Sequence, residues 1–443
     1  MSDSVLAAEM PAAPAAPASR TRRDFGLRRR HAAERRFRLL GLGAIILGLL
    51  FLAMLLVSIA SKGYTAFIQT SVTIPVEFSA ELIDKDNKRA TDPKVLVSAN
   101  YPVVARQSLA KVLGIDIKDK KAMKELGNFL SDSVRAPLRD LVVADPSIIG
   151  QTREVTLLLS ADVDSVNKGQ VDLTVPEAKR KVSDRGLEWL KTLKEQNRIS
   201  TPFNWGLLTF GASSRPEAAG LGVALVGSFL MMLIVLACAL PLGVAASIYL
   251  EEFAKKNRFT DLIEVNINNL AAVPSIVYGL LGLSVFINFF GLPRSAPLVG
   301  GLVLSLMTLP TIIIATRAAL RSVPPSIRSA ALGIGASRMQ MVFDHVLPLA
   351  TPGILTGTII GLARALGETA PLLLIGMVAF VADYPSNPLQ PANAMPVQIY
   401  MWANEAERAF VERSSGAVIV LIIFLALMNI AAIVLRRRFE RRW

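Results

Sequence analysis

Long apolar runs separated by basic or polar loops constrain this chain more than any other feature. They fall at 39–60 (LLGLGAIILGLLFLAMLLVSIA), 219–250, 265–291, 297–316, 349–380 and 416–435. A bilayer core of about 30 Å takes about 20 helical residues to cross. In hydrocarbon the backbone N–H and C=O groups must be satisfied within the segment itself, so each run is predicted as a membrane helix, six in all. The composition, 52% hydrophobic and 19% charged, fits a membrane protein with a sizeable water-exposed part. The fold class expected is therefore an all-α polytopic membrane protein of six transmembrane helices, with an inserted α+β domain.

Charge sets the expected topology. A formal net charge of +13 in a soluble chain would suggest nucleic acid. Here the arginines cluster beside apolar runs, which points to basic loops retained in the cytoplasm and to no nucleic-acid partner. Nine arginines lie between Arg20 and Arg38. An inside N-terminus puts Lys255, Lys256, Arg258, Arg317, Arg321, Arg328 and Arg338 inside, together with the final RRRFERRW. Loop 381–415 falls outside, with Asp383, Glu405, Glu407 and Glu412 against Arg408 and Arg413. Both termini are expected in the cytoplasm.

Residues 1–38 are expected to be a disordered basic N-terminus and 39–61 the first transmembrane helix. That run is longer than a signal-peptide core and reads as an uncleaved anchor. Residues 62–215 form an α+β domain outside the cytoplasm, 216–436 a core of five transmembrane helices, and 437–443 a basic tail. Within 62–215, SVTIPVEFSA alternates Val72, Ile74, Val76 and Phe78 as a strand, with Pro75 marking an edge. REVTLLLSADV (153–163) is a second strand, and 101–113, 119–141 and 177–197 have helical spacing.

Catalytic and metal chemistry are poorly supplied. There is one cysteine, Cys238, and two histidines, His31 and His345, so disulfides, thiolate clusters and histidine-based triads are not expected. No phosphate-cradling GxxxxGK[ST] loop is present, so ATP would be hydrolysed by a separate subunit. We expect neither an enzyme nor a cofactor.

The loop 322–348, SVPPSIRSAALGIGASRMQMVFDHVLP, has the pattern helix, turn, helix. Pro324 and Pro325 suit a helix start. Gly333 and Gly335 permit a break, and Met339, Val342, Phe343 and Val346 form a second apolar face that Pro348 closes. Such an amphipathic unit suits a protein partner.

SAALGIGASRMQMVFDHVLP resembles the coupling-loop motif of ABC-importer permeases: Glu-Ala-Ala, three residues, Gly, nine residues, Ile-x-Leu-Pro. Ala330, Ala331, Gly335, Leu347 and Pro348 match, whereas Ser329 stands where Glu is usual and His345 where Ile is usual. NNLAAVPSIVYGLLGL (268–283), LPTIIIATRAALRSVP (309–324) and PGILTGTIIGLARALGETAPLLLIG (352–376) together resemble the PstA-type permeases of bacterial phosphate importers. The likeness covers residues 219–436. It implies the type I ABC-importer permease fold in the bacterial inner membrane, docked to the ATPase through Ser329, Ala330, Ala331, Gly335, Leu347 and Pro348. The partners it implies are a second, PstC-type permease subunit, a cytoplasmic ABC ATPase dimer and a periplasmic phosphate-binding protein, with membrane lipid around them.

The segment LARALGETAP (362–371) places Arg364 and Glu368 in an apolar run, where a charge costs several kcal/mol (about 2.5–3.5 on the mildest scale). Four apart, they are expected to stack on one helix face halfway along the span. One reading is an ion pair that locks helices. The other is an anion path in which Arg364 supplies a donor fork and Glu368 accepts a proton carried by phosphate. Thr369, Asn269 and Ser275 are further candidates for that path, with Pro274 a kink. The alternatives are a permease for another oxyanion, molybdate or sulfate, or a membrane receptor sensing through residues 62–215. A receptor would need a cytoplasmic output module.

Overall fold

The computed structural model describes residues 27–85, 87 and 94–439. The expected disorder of residues 1–26 and the last four residues of the basic tail lie outside that range. Two units are distinguished, residues 1–57 and 58–443. Most of the first unit's described part belongs to helix α1, Leu27–Gly63. The helix begins well before the predicted boundary at 39, so residues 27–38 are helical rather than disordered. Alanine and arginine are strong helix formers, and the apolar run that follows propagates the same helix. Leu39, Leu50, Phe51 and Met54 are all exposed, as expected of side chains that face lipid.

The second unit opens with a cap domain built on a three-stranded sheet in the order β2-β1-β3. Strand β1 is Ser71–Glu77, and its alternate residues Val72, Ile74 and Val76 are fully buried, as period-two alternation dictates. Helices α2 (Tyr101–Leu113), α3 (Lys120–Phe129) and α4 (Arg135–Ala144) follow. The single helix predicted at 119–141 is thus two. Asp119 caps α3 by accepting from the Lys121 and Ala122 N–H groups, and the Ala122 bond holds its carboxyl below the usual range. Strand β2, Thr152–Leu158, pairs antiparallel with β1, putting Val155 opposite Ile74 and Leu157 opposite Val72. The predicted second strand ends early, because Ala161–Asn167 forms helix α5. Helix α6 is Asp184–Glu195, and the short β3 is Ile199–Ser200.

Strand β1 is central by order, yet β3 pairs with it only at Ser71 and Val72. At Pro75 the second edge is therefore open, which is why a residue without an N–H is tolerated there. Phe78, Leu109, Leu126 and Leu138 are fully buried in the cap's own core, each contributing about 1.5–3 kcal/mol.

Five further segments form the membrane bundle. Helix α7, Gly222–Ile248, continues into a π turn, Tyr249–Phe253. The predicted span at 265–291 is instead two helices, α8 (Arg258–Ala271) and α9 (Ser275–Leu281, extended in π geometry to Phe289), bent by 103° at the break. Helix α10 is Pro297–Ser322, followed by the short α11, Pro325–Gly333. Helix α12, Leu347–Gly367, replaces the predicted 349–380, and the one-turn α13 is Ala370–Leu374. Helix α14 is Met395–Ala403 and α15 is Arg408–Phe439. Helices α7, α10 and α12 pack together around Met231, Val235, Val303, Leu304, Met307 and Leu366. One end of this bundle carries the cap. The other, here the base, carries α11.

The cap leaves the membrane body and returns to it at one place. Ile68 bridges Phe203, Gln69 N–H donates to the Pro202 carbonyl (3.1 Å), and Asn204 N–H donates to that of Phe67 (2.8 Å). Buried charges fasten the cap to the start of α15. Lys168 Nζ lies 2.6 Å from Asp164 Oδ2 and 2.9 Å from Glu412 Oε1, all three side chains being buried. Thr70 donates to Asp164 Oδ1 through both its N–H and its hydroxyl. Ser131 donates to buried Glu217. Arg413 is buried beside them, and its Nη1 has no hydrogen-bond partner among the described residues.

Removing one member of such a group leaves the others desolvated and uncompensated. We expect Lys168→Met to lower stability by about 3–5 kcal/mol, with part of the loss recovered in the double variant Lys168→Met/Glu412→Gln. Thermal unfolding of the purified full-length protein checks this; an unchanged midpoint in Lys168→Met would refute it.

Candidate functional site

The LARALGETAP segment ends a helix rather than sitting inside one. Pro371 lacks an N–H, and its ring clashes with the carbonyl four residues back, that of Gly367. Helix α12 accordingly stops at Gly367, and Glu368 takes an extended conformation (ψ 129°). Arg364 lies in the last turn of α12, where the helix dipole favours a cation. The pair is therefore not stacked on one helical face halfway along a span, as its spacing predicted. Arg364 Nε and Glu368 Oε1 are 3.7 Å apart, beyond a hydrogen bond. The arginine side chain is 50% exposed and the glutamate 19%. A pair so loose and so open contributes little to stability, and the guanidinium keeps most of its donors free.

Thr369 is the residue preceding α13, and Ala370 and Pro371 open that helix. Helix α13 packs on α9. A Cβ added at Gly279 would lie 2.7 Å from Pro371 Cα, so only glycine permits this approach. The second break thus faces the first. At the first, Pro274 interrupts the chain before Ser275, as its sequence position predicts. Pro274 cannot donate to the Leu270 carbonyl, which accepts from the Val273 N–H (3.2 Å) and from the Tyr278 hydroxyl (2.8 Å). Tyr278 is also within electrostatic reach of Arg364.

Non-helical backbone at membrane depth persists only where protein covers it or a water-filled space adjoins it. The two breaks are covered in part by each other, and the exposed Arg364 lies one turn before the second. The fold brings Arg364, Glu368, Thr369 and the helix carrying Ser275 together. Asn269 lies on the other arm of the 103° bend, in α8, with its side chain exposed.

At the base, the loop 322–348 folds as α11, a turn and a second helix. Gly335 adopts φ +91°, a conformation that favours glycine. From Arg338 the chain is helical without interruption to Gly367, so Pro348 does not close the loop as expected. A π turn at Met341–Val346 shifts the ladder, and Leu347 N–H bonds to Val342 O, five residues back. Its register absorbs the proline that follows. Ala331, Met341, Val342 and Val346 pack on Leu320 and Val323. Ser329 and Ala330 are exposed and Leu347 and Pro348 half-buried. Ile334 (82% exposed), Leu332, Met339 and Phe343 stand outward as an apolar knob.

Sequence reasoning missed the acidic half of an ion network beside that knob. Glu251 accepts from Arg317 Nε (2.5 Å) and from Arg321 Nε (2.9 Å), while Glu264 lies 2.9 Å from Arg317 Nη2. The network joins the end of α7, α8 and α10 around a cleft of about 280 Å³. Its signal was the pair Glu251-Glu252 at the end of an apolar run, opposite arginines four residues apart.

Comparison with known proteins agrees with this architecture. Residues 239–443 match the family described as binding-protein-dependent transport system inner membrane component. Residues 24–177 match a domain of unknown function, DUF3333. The probable ABC transporter permease protein YqgI of Bacillus subtilis is 32% identical over 238 residues, 51% of this chain and 80% of that protein. The phosphate transport system permease protein PstA of Xylella fastidiosa is 32% identical over 217 residues, 49% and 74% of the two chains. PstA 1 of Mycobacterium tuberculosis is 33% identical over 232 residues, 51% and 73%. With likeness over most of each relative's length, the chain belongs to the PstA-type permeases of binding-protein-dependent ABC importers and carries an additional N-terminal domain.

Proposed function

We propose that this permease subunit forms half of the path of an ATP-driven importer of inorganic phosphate, and that Arg364 and Glu368 are the residues the anion meets. The observation that carries this reading is the loosely paired, half-exposed Arg364 at the meeting of two broken helices. An anion can take its donor fork without first breaking a tight ion pair. Phosphate near neutral pH still carries a proton, which Glu368 can accept in a hydrogen bond. Sulfate and molybdate offer no such proton, so the carboxylate disfavours them. Thr369 and Ser275 contribute hydroxyls near the breaks, and Asn269 serves where the path opens past the bend.

In this reading the base faces the cytoplasm, since Lys255, Lys256, Arg258, Arg338 and Arg436–Arg438 gather at that end. The cap then lies outside, towards a phosphate-binding protein. The second half of the path comes from a PstC-type subunit. Ser329, Ala330, Ala331 and Gly335 shape the segment that presents Ile334 and Met339 to a cytoplasmic ABC ATPase, with Leu347 and Pro348 joining it to α12.

Phosphate uptake in cells lacking other phosphate carriers tests the path. Losing a hydrogen-bonded charge contact costs about 1.5–3 kcal/mol, so Arg364→Ala should lower uptake about ten- to hundredfold. Glu368→Gln should weaken the preference for phosphate over sulfate and molybdate in competition. Unchanged uptake and preference in both variants would remove these residues from the path. Ile334→Asp places a charge at the centre of the knob; we expect the ATPase to be lost on copurification while the bundle stays folded. Recovery of the ATPase at wild-type yield would exclude the knob as its docking point.

A further inference from the structure

Glu251 and Glu252 are consecutive, yet they bind different elements. Glu251 takes the two arginines of α10, Arg317 and Arg321. The π turn Tyr249–Phe253 directs Glu252 to Arg328, on the coupling helix α11. Arg328 Nη2 is 2.7 Å from Glu252 Oε1, and Nε is 3.2 and 3.3 Å from the two carboxylate oxygens. The remaining donors go to the end of α10: Nη1 to the Val323 carbonyl (2.7 Å) and Nη2 to that of Leu320 (2.8 Å). Both carbonyls belong to the helix end, where few N–H partners remain; that of Leu320 also accepts from the Val323 N–H (3.3 Å). The Glu252 side chain is 6% exposed, so the contact is shielded from water. One planar guanidinium thereby ties α11 to both α7 and α10. Lysine, a single point charge, cannot reproduce that fork.

We propose that Glu252 and Arg328 are positioning residues that transmit movement of the coupling helix to α7 and α10. The proposal rests on the reading of α11 as the ATPase-docking helix. By covalent connection alone, α11 would act on α10 through Val323 and on α12 through the turn at Gly335; α7 has no chain link to it. The Glu252–Arg328 contact supplies that link. The apolar knob of Ile334 and Met339 points outward and is not part of the joint. Docking and transmission are therefore carried by different side chains and can be separated.

The test uses the whole complex in liposomes: both permease subunits, the ATPase and the binding protein, with inorganic phosphate. Phosphate import and ATP hydrolysis are measured together in wild type, Glu252→Gln and Arg328→Lys. We expect the ATPase to copurify with all three, while phosphate imported per ATP hydrolysed falls at least fivefold in both variants. Should Glu252→Gln fail to fold, Glu252→Asp, which keeps the charge and shortens the reach, is expected to lower the ratio in the same direction. A merely structural contact would lower the amount of folded complex and leave the ratio of import to hydrolysis at its wild-type value, and that result would overturn the proposal. Failure to recover any ABC ATPase with wild type would overturn the importer reading and this joint with it. Recovery of the ATPase with an unchanged ratio would overturn the joint alone.

Discussion

A backbone carbonyl or N–H left unpaired in hydrocarbon costs several kcal/mol, and the arrangement of this bundle follows from where the chain can bear that cost. Helices α7, α10 and α12 are continuous where they pack on one another. The chain gives up its helical ladder at Pro274 and again before Pro371, and these two places are packed together through Gly279. At the first break the Leu270 carbonyl, beyond the reach of Pro274, accepts from the Val273 N–H and the Tyr278 hydroxyl. Neither break would be tolerable alone against lipid. Packed together, they place a half-exposed arginine at one polar locus.

Charges sort by how tightly they are held. Those at the base, Glu251 with Arg317 and Arg321 and Glu252 with Arg328, make short bonds that span several helices. Those beneath the cap, Asp164, Lys168 and Glu412, are buried and closely spaced. Arg364 and Glu368 approach only to 3.7 Å, outside hydrogen-bond reach, and the arginine is half-exposed. Tight pairs suit joints whose geometry must persist. A loose pair suits a place where a transient anion competes for the cation.

Much of this was legible in the sequence. The apolar runs located every long helix of the bundle, because a stretch of about 20 apolar residues has few other stable states. Alternation at Val72, Ile74 and Val76 located β1, since only a strand puts alternate residues on one face. Helix ends were less legible. The run through 380 stays apolar past Gly367, so hydropathy continues the span while Pro371 ends it. The bend at 271–275 was visible as a proline, but its 103° magnitude depends on tertiary packing. Arg364 and Glu368 stood out as charges in an apolar run, yet their i,i+4 spacing presumed a helix that ends at Gly367. Glu251-Glu252 stood out at the end of an apolar run, but the partner of Glu252 was not legible, because Arg328 lies 76 positions away.

The cap's point of attachment bears on how such a domain can be gained or lost. Residues 67–69 and 202–204 run side by side where the cap departs and rejoins. On the body side of that junction Ala66, Leu207, Leu221 and Phe410 pack together. A chain shortened from 67 to 204 would need only to close a gap already bridged by hydrogen bonds. Glu217, Glu412 and Arg413 would then meet water instead of the cap, and hydrated charges need no partners. Ends that meet in this way are the arrangement in which a domain can be inserted into a chain or lost from it with little change to what flanks it.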